Sequence, residues 1–204
     1  MPAGEEKAAS KREKAIAQRR TQILEAALEC FLENGYHQTG VRDIAKKAGV
    51  SLGNLYNHFP GKHDVLAEIA ALERLELAPF LKMLAGPAPA PKVLKKFVAA
   101  YAKYLADPDT VILTLEISGE AIRKPDIAAM FMDNREQLAA ALTAVLERGI
   151  AEGYLRRLPD PRETAQLIIE LAEGSAYRCV LSNASLRKAL KGLWDFVSAA
   201  VLAH

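Results

Sequence analysis

Asn54, Asn57 and His58 stand with Leu52 and Gly53 along one stripe of a short segment, and no acid lies among them. Amide side chains donate and accept hydrogen bonds, so such a stripe can read base edges, and its lack of negative charge lets it approach phosphates. Two carboxylates, Glu116 and Glu120, lie one helical turn apart within the apolar stretch Val111–Ile122 and share a face. Turned inward they would favour a cationic ligand or raise each other's pKa. Turned outward they are solvated and pair with Arg123 or Lys124, and the outward arrangement is the expectation adopted. The four histidines, His37, His58, His63 and His204, are not at zinc-ligand spacing. Cys30 and Cys179 make neither a CxxC knuckle nor a disulfide framework and read as small core hydrophobes. There is no HExxH, no nucleophile elbow and no glycine-rich phosphate loop. The chemistry on offer is binding, not catalysis, with no metal or cofactor expected.

The elements that position these groups are helices. Half of the 204 residues are hydrophobic, a quarter are charged and 6% are aromatic, which fits a globular chain of one mid-sized domain or two small ones. Ile23, Leu24, Ala27, Leu28, Phe31 and Leu32 recur at helical spacing until Asn34-Gly35 stops them. Val41, Ile44 and Ala45 mark a short helix over about 40–48. Gly49 supplies the left-handed residue of a sharp turn, and Ser51 caps a second short helix ending at Phe59. Val50 and Leu55 bracket that cap as a hydrophobic staple, and Leu55 and Phe59 form its buried stripe. Two short helices on an Ala48-Gly49-Val50-Ser51 turn match a helix-turn-helix. Pro60-Gly61 breaks the chain. Further helices are expected at about 62–84, kinked at Pro79, then 92–106, 109–123, 126–152, 161–182 and 185–203, with a stiff Pro-rich connector over 85–91. The fold class is all-α with about nine helices: a flexible basic arm over 1–14, a three-helix unit holding the helix-turn-helix over 15–62, and a larger helical body over 63–204.

Charge is unevenly distributed. Residues 1–62 hold ten Lys and Arg against seven acids, whereas 63–204 hold 17 against 18. A basic first third suggests an anionic partner for it, and Lys7, Lys11, Arg12, Lys14, Arg19 and Arg20 could add non-specific phosphate contacts. No uncharged apolar run reaches the roughly 18 residues of a bilayer span, and the N-terminus lacks a signal-peptide apolar region. A cytoplasmic protein is expected.

The ordered set Arg20-Thr21-x-Ile23-Leu24-x-Ala26-Ala27, Asn34-Gly35-Tyr36, Thr39-Gly40-Val41-x2-Ile44-Ala45, Ala48-Gly49-Val50-Ser51-x-Gly53-x-Leu55-Tyr56-x-His58-Phe59, Lys62 and Leu66 resembles the DNA-binding domain of the tetracycline-repressor-like (TetR) transcriptional regulators. The resemblance implies a homodimer that binds a palindromic DNA operator and leaves it when a small molecule occupies the C-terminal domain. It implies that the helix opened by Ser51 enters the major groove, with Leu52, Gly53, Asn54 and Asn57 facing bases. Tyr56, His58 and Lys62 would then reach phosphates, and Thr39, Gly40 and Arg42 would sit on the DNA backbone. Two positions depart from the pattern. Gly40 stands where Thr or Ser is frequent, leaving a bare amide, and Leu52 stands where a polar residue is frequent, leaving a contact to a thymine methyl or none. Those departures keep a second reading open, a helical ligand-binding protein with weak or no specific DNA binding, or an activator.

The resemblance also implies dimerisation through the last two helices. The residues agree: the 161–182 helix is apolar over a wide arc, with Gly174 and Ser175 permitting close approach. Interface candidates are Leu167, Leu171, Ala172 and Ser175 on that helix and Leu190, Leu193, Trp194 and Val197 on the last. A pocket for a small, mainly apolar effector is expected among Met83, Phe97, Tyr101, Tyr104, Leu113, Ile117, Met130, Phe131 and Tyr177.

Overall fold

The computed structural model describes the backbone of residues 3–203 and the side chains of residues 12–203. Among the described residues there are nine α-helices and no strand, only an isolated bridge between Leu155 and Leu202. They are α1 (Ala3–Asn34), α2 (Val41–Lys47), α3 (Leu52–His58), α4 (Lys62–Leu84), α5 (Ala90–Leu105), α6 (Pro108–Ala121), α7 (Pro125–Ala151), α8 (Pro161–Ser182) and α9 (Leu186–Val201). The expected 1–14 arm differs: from Ala3 onward it continues α1, while Met1 and Pro2 lie outside the described residues. The helix runs through Pro79 in α4. None of the helices is long and apolar enough to cross a membrane.

Helix ends follow local chemistry. Gly35, Gly49 and Gly153 take positive φ at turns, and Asn183 takes φ 48° to close α8, the left-handed exit that Gly and Asn tolerate. The side chains of Ser51, Asp107 and Asp160 accept the first free N–H groups of α3, α6 and α8. Pro108, Pro125 and Pro161 sit in first turns, where no N–H is needed.

The chain divides into two compact units, Met1–Ala71 and Leu72–His204. The division falls inside α4, beyond the 62/63 boundary expected from sequence, because Val65, Leu66, Ile69 and Ala70 are buried with the first unit. Unit 1 has a core of Ile23, Ala27, Phe31, Ile44, Leu55, Phe59 and Leu66, each at most 1% exposed. In unit 2, α5 is the central helix and packs against α6, α7, α8 and α9. Its buried stripe of Val93, Leu94, Phe97, Val98, Tyr101 and Leu105 contributes about 1.5–3 kcal/mol for each large side chain.

Close approach of α7 to the start of α5 depends on one glycine. A Cβ on Gly149 would lie 2.7 Å from the Ala90 Cβ and 2.6 Å from Leu155 Cγ. Gly149→Ala gains helix propensity, but overpacking of this kind costs about 1–3 kcal/mol. A net fall in the thermal midpoint is expected, read by circular dichroism.

Candidate nucleic-acid interface

Unit 1 presents α3 on a brace made by α1, α2 and the start of α4. The turn between α2 and α3 is closed by the Ala48 N–H to Ile44 O at 2.8 Å and the Val50 N–H to Ala45 O at 3.0 Å. Gln22 Nε2 on α1 donates to Ala48 O at 2.6 Å, satisfying a turn carbonyl. Leu55 and Phe59 are fully buried, as the staple and stripe require. The opposite edge is open: Gly53, Tyr56 and Asn57 are exposed, and Leu52, Asn54 and His58 are half-buried. The Asn54 side-chain oxygen accepts no hydrogen bond within the chain. Arg42 and Lys46 are exposed on α2. This edge has amide donors and acceptors, a phenol and flanking cations, with no carboxylate on α3.

Several residues expected at the DNA backbone have work inside the fold instead. Thr39 is 3% exposed, and its hydroxyl donates to Cys30 O at 3.1 Å and Gly35 O at 2.8 Å. The expected phosphate contact is therefore unavailable to that hydroxyl. The Gly40 amide is not bare, since it donates to the Asp43 carboxylate at 2.9 Å. Ser51 uses its hydroxyl to accept from Asn54 N at 3.1 Å. Lys62 Nζ donates to Tyr36 O at 2.6 Å and stands 4.2 Å over the Tyr36 ring, so its charge is engaged with that residue.

Arg20, expected as part of the basic arm, is a clamp. Its Nε and Nη2 donate to the two Glu68 oxygens at 3.2 and 2.9 Å, and Nη1 donates to His58 O at 2.9 Å. Its guanidinium lies 4.3 Å from the Phe59 ring centroid. One side chain on α1 thus fixes the end of α3 and the first half of α4. Lys7 and Lys11 lie outside the residues whose side chains are described. Cys30 is buried, and desolvation pushes its thiol pKa up, which makes it inert. Cys179 is also buried.

Unit 2 holds a second constellation. Phe97 and Tyr101 stack at 5.4 Å, and Phe80 packs at 5.3 Å on Tyr101 and 5.4 Å on Tyr104. Carboxylates gather on these rings. Tyr104 Oη donates to Glu76 at 2.5 Å, Tyr101 Oη to Glu173 at 3.5 Å, and Asn134 Nδ2 to Glu73 at 3.2 Å. Arg135 pairs with Glu173 and lies over Phe131. Arg74, by contrast, turns to Asp133 and Asn134. Burial raises the Glu73 pKa against the opposing pull of Asn134 and Arg135. Burial also raises Tyr101, Tyr104 and Tyr177, with Glu173 adding to the shift at Tyr101 and Tyr177. At Arg135 burial pulls the pKa down, but the Glu173 hydrogen bond together with the charges of Glu173, Tyr101 and Glu170 raises it and holds the charge.

Of the expected pocket residues, Phe97, Tyr101 and Tyr104 come together, and Tyr177 and Phe131 share the Arg135–Glu173 surroundings. Met83 packs on the core near the end of α4. Ile117 is buried on α6, while Leu113 and Met130 are half-buried. Phe80, Glu73, Glu76, Asn134, Arg135 and Glu173 were missed. The signal existed, since Glu73, Glu76, Phe80 and Met83 fall on one α4 face. Glu120 overturns the outward expectation: it is 4% exposed, with Arg123 Nη1 at 3.8 Å. On α8 and α9, Leu167 and Leu171 are exposed, Ser175, Leu190 and Trp194 are half-buried, and Ala172, Leu193 and Val197 are sealed in the unit's own core. Leu181 and Phe196, 80% and 62% exposed, stand on these helices where sequence reasoning named neither.

Residues 23–69 match the family model for bacterial regulatory proteins of the tetR family. Residues 92–200 match the C-terminal domain of AefR-like transcriptional repressors. A transcriptional repressor of Mycobacterium tuberculosis, Rv1474c, is 30% identical over 65% of this chain and 67% of its own. The fold is similar to the Bacillus subtilis regulator FadR in complex with stearoyl-CoA (TM-score 0.74, 25% identity, 87% and 96% coverage). It is also similar to a Saccharomonospora viridis transcriptional regulator in complex with choline (TM-score 0.80, 22% identity, 92% and 100% coverage). The chain belongs to the tetR family, a class of helix-turn-helix DNA-binding transcriptional regulators. Within that family its C-terminal part is AefR-like.

Two outcomes follow from the geometry. Arg20→Ala should lower stability by about 1–2 kcal/mol, since two charged contacts are lost from a partly exposed site; thermal melting reads this. Glu73 titrates higher folded than unfolded, so its ionisation destabilises the fold as pH rises through that interval. Glu73→Gln should therefore raise the melting temperature at neutral pH, and the gain should vanish below the ordinary carboxylate range.

Proposed function

We propose that this chain is a homodimeric repressor that binds a palindromic operator and is released by a small effector. The observation that carries the reading is the acid-free, amide-bearing edge of α3 held on a fully buried Leu55–Phe59 stripe. The DNA contacts are Leu52, Gly53, Asn54 and Asn57 to bases, with Tyr56, His58 and Arg42 to phosphates. Two copies are needed because a single seven-residue helix reads only a few base pairs, and paired heads must reach grooves roughly 34–36 Å apart. The dimer face is the outer side of α8 and α9. It carries exposed Leu167, Leu171, Leu181 and Phe196, and a groove of about 370 Å³ along Leu171, Gly174 and Ser175 accepts the partner helix. Such an exposed apolar face marks an interface.

The effector is small and mainly apolar, seated on Phe80, Phe97, Tyr101 and Tyr104, with a cationic group facing Glu73 and Glu76. Complexes of related proteins with choline and with stearoyl-CoA show that membership alone does not fix this chemistry, so the residues of this chain decide it. Cation–π contacts and two carboxylates beyond what Arg135 neutralises favour positive charge. Because α4 begins in unit 1 and ends in unit 2, it is the element through which occupancy reaches the DNA heads. A 100-fold release requires about 2.7 kcal/mol of differential affinity.

The test is fluorescence anisotropy on the DNA flanking the chain's own gene, with light scattering for the oligomeric state. The wild type should be a dimer whose DNA affinity falls steeply with salt. Tyr56→Ala should weaken binding about tenfold (one phosphate contact of about 1–1.5 kcal/mol). The Leu167→Glu/Leu171→Glu variant should be monomeric and lose operator binding. A monomeric wild type that ignores DNA at low salt would refute the reading.

A further inference from the structure

One groove of unit 2, away from the tyrosine–carboxylate cluster, joins an apolar floor to an unneutralised cationic rim. It encloses about 630 Å³ between the end of α4, the connector to α5 and the first turns of α5, within the ~300–1,000 Å³ range of small-molecule sites. Pro79, Met83 and Val93 form its floor, and Lys82, Lys92 and Lys96 form its rim.

The connector wall is fixed before any ligand arrives. Arg148 on α7 donates through Nη1 to Gly86 O at 3.1 Å and through Nη2 to Ala88 O at 3.2 Å. Pro87, Pro89 and Pro91 stiffen the same stretch. A side chain at Gly86 would come within 3.0 Å of Met83 O, so the tight turn there uses the glycine. A preformed wall lowers the ordering cost of binding.

The rim is not an ordinary mixed surface. All three lysines are exposed, and among the described residues none of them is in a salt bridge. From Leu77 to Leu105 the chain carries Lys82, Lys92, Lys95, Lys96 and Lys103 and no acid at all. Lys92 and Lys96 repel at i, i+4, and Lys82 brings a third like charge from α4 to the same opening. Among the described residues no carboxylate pairs with these ammoniums to offset the repulsion. A multiply charged anion placed among the ammoniums would offset it.

We propose that the groove is a second small-molecule site, which takes a single-chain amphiphile with a phosphate monoester head. The aliphatic chain lies on Pro79, Met83 and Val93, and the dianionic head sits among Lys82, Lys92 and Lys96. Its charge preference is opposite to that of the effector cluster, and the inference does not depend on the effector reading.

The test is calorimetric titration of the full-length protein with decyl phosphate below its micelle concentration. Decyltrimethylammonium, inorganic phosphate and phosphatidylglycerol vesicles serve as comparison arms. Decyl phosphate should bind once per chain, weaken with salt, and bind at least tenfold tighter than inorganic phosphate or the trimethylammonium compound. The Lys82→Gln/Lys92→Gln/Lys96→Gln variant should lose at least tenfold in affinity while its helical spectrum stays unchanged and its melting temperature does not fall. A single Lys103→Gln change, outside the groove, should leave binding intact. Equal affinity in the triple variant, equal affinity for the cationic compound, or no binding of decyl phosphate would overturn the proposal. Binding to vesicles alone would overturn it in favour of a membrane surface.

Discussion

A helix as short as α3, seven residues, is marginal alone in water, since nucleation costs more than one or two turns return, and so its orientation must be imposed from outside. Leu55 and Phe59 supply the burial, and Arg20 supplies the direction. Its guanidinium holds the last α3 carbonyl, the Glu68 carboxylate and the face of Phe59 at once. A planar five-donor fork suits this arrangement, whereas a lysine ammonium could not serve all three partners in the same geometry. The exposed edge of α3 is therefore presented by a rigid brace, and Asn57 lies open on it, whereas the Asn54 side-chain oxygen is covered and accepts no hydrogen bond within the chain.

Unit 2 solves a different problem. Its interior is not purely apolar: Glu73 and Glu173 are part-buried beside the rings, Arg135 pairs with Glu173, and Glu76 reaches Tyr104 from the surface. Hydrogen bonds from Asn134 and Tyr101 lower the cost of burying the first two charges without removing it. The raised Glu73 pKa records the remainder. A packed hydrocarbon core would be cheaper to maintain, so the cluster is weak as a source of stability.

Much of this was legible in the sequence where the signal is local. Gly49, Ser51, Leu55 and Phe59 specify the turn, the cap and the buried stripe within a dozen positions, and the proline and acid caps place α6, α7 and α8. Residues whose role is set by a distant partner were not legible. Arg20 looks like a phosphate contact until Glu68 is known to stand beside it, and Thr39 looks available until its hydroxyl is seen pointing at Cys30 O. Glu120 could face either way, because a helix apolar over most of its circumference does not declare its inner side. On α8 and α9, Ala172, Leu193 and Val197 were indistinguishable from Leu167 and Leu171 by type, and only packing on α5 separates the sealed from the open face.

The charges of unit 2 are sorted along α4. Its middle turns carry Glu73 and Glu76, its last turn carries Lys82, and α5 beside it carries lysines and no acid. Phe80 lies between the two groups and packs on Phe97, Tyr101 and Tyr104, a layer of low polarisability where charges interact strongly. If the signs were mixed, lysine and glutamate would pair and neutralise each other. Kept apart by the aromatic layer, the carboxylates are partnered by Asn134, Tyr104, Tyr101 and Arg135, with no lysine hydrogen-bonded to them among the described residues. Separation of this kind leaves carboxylates along the middle turns of α4 and ammoniums at its end and on α5, with aromatic rings between them.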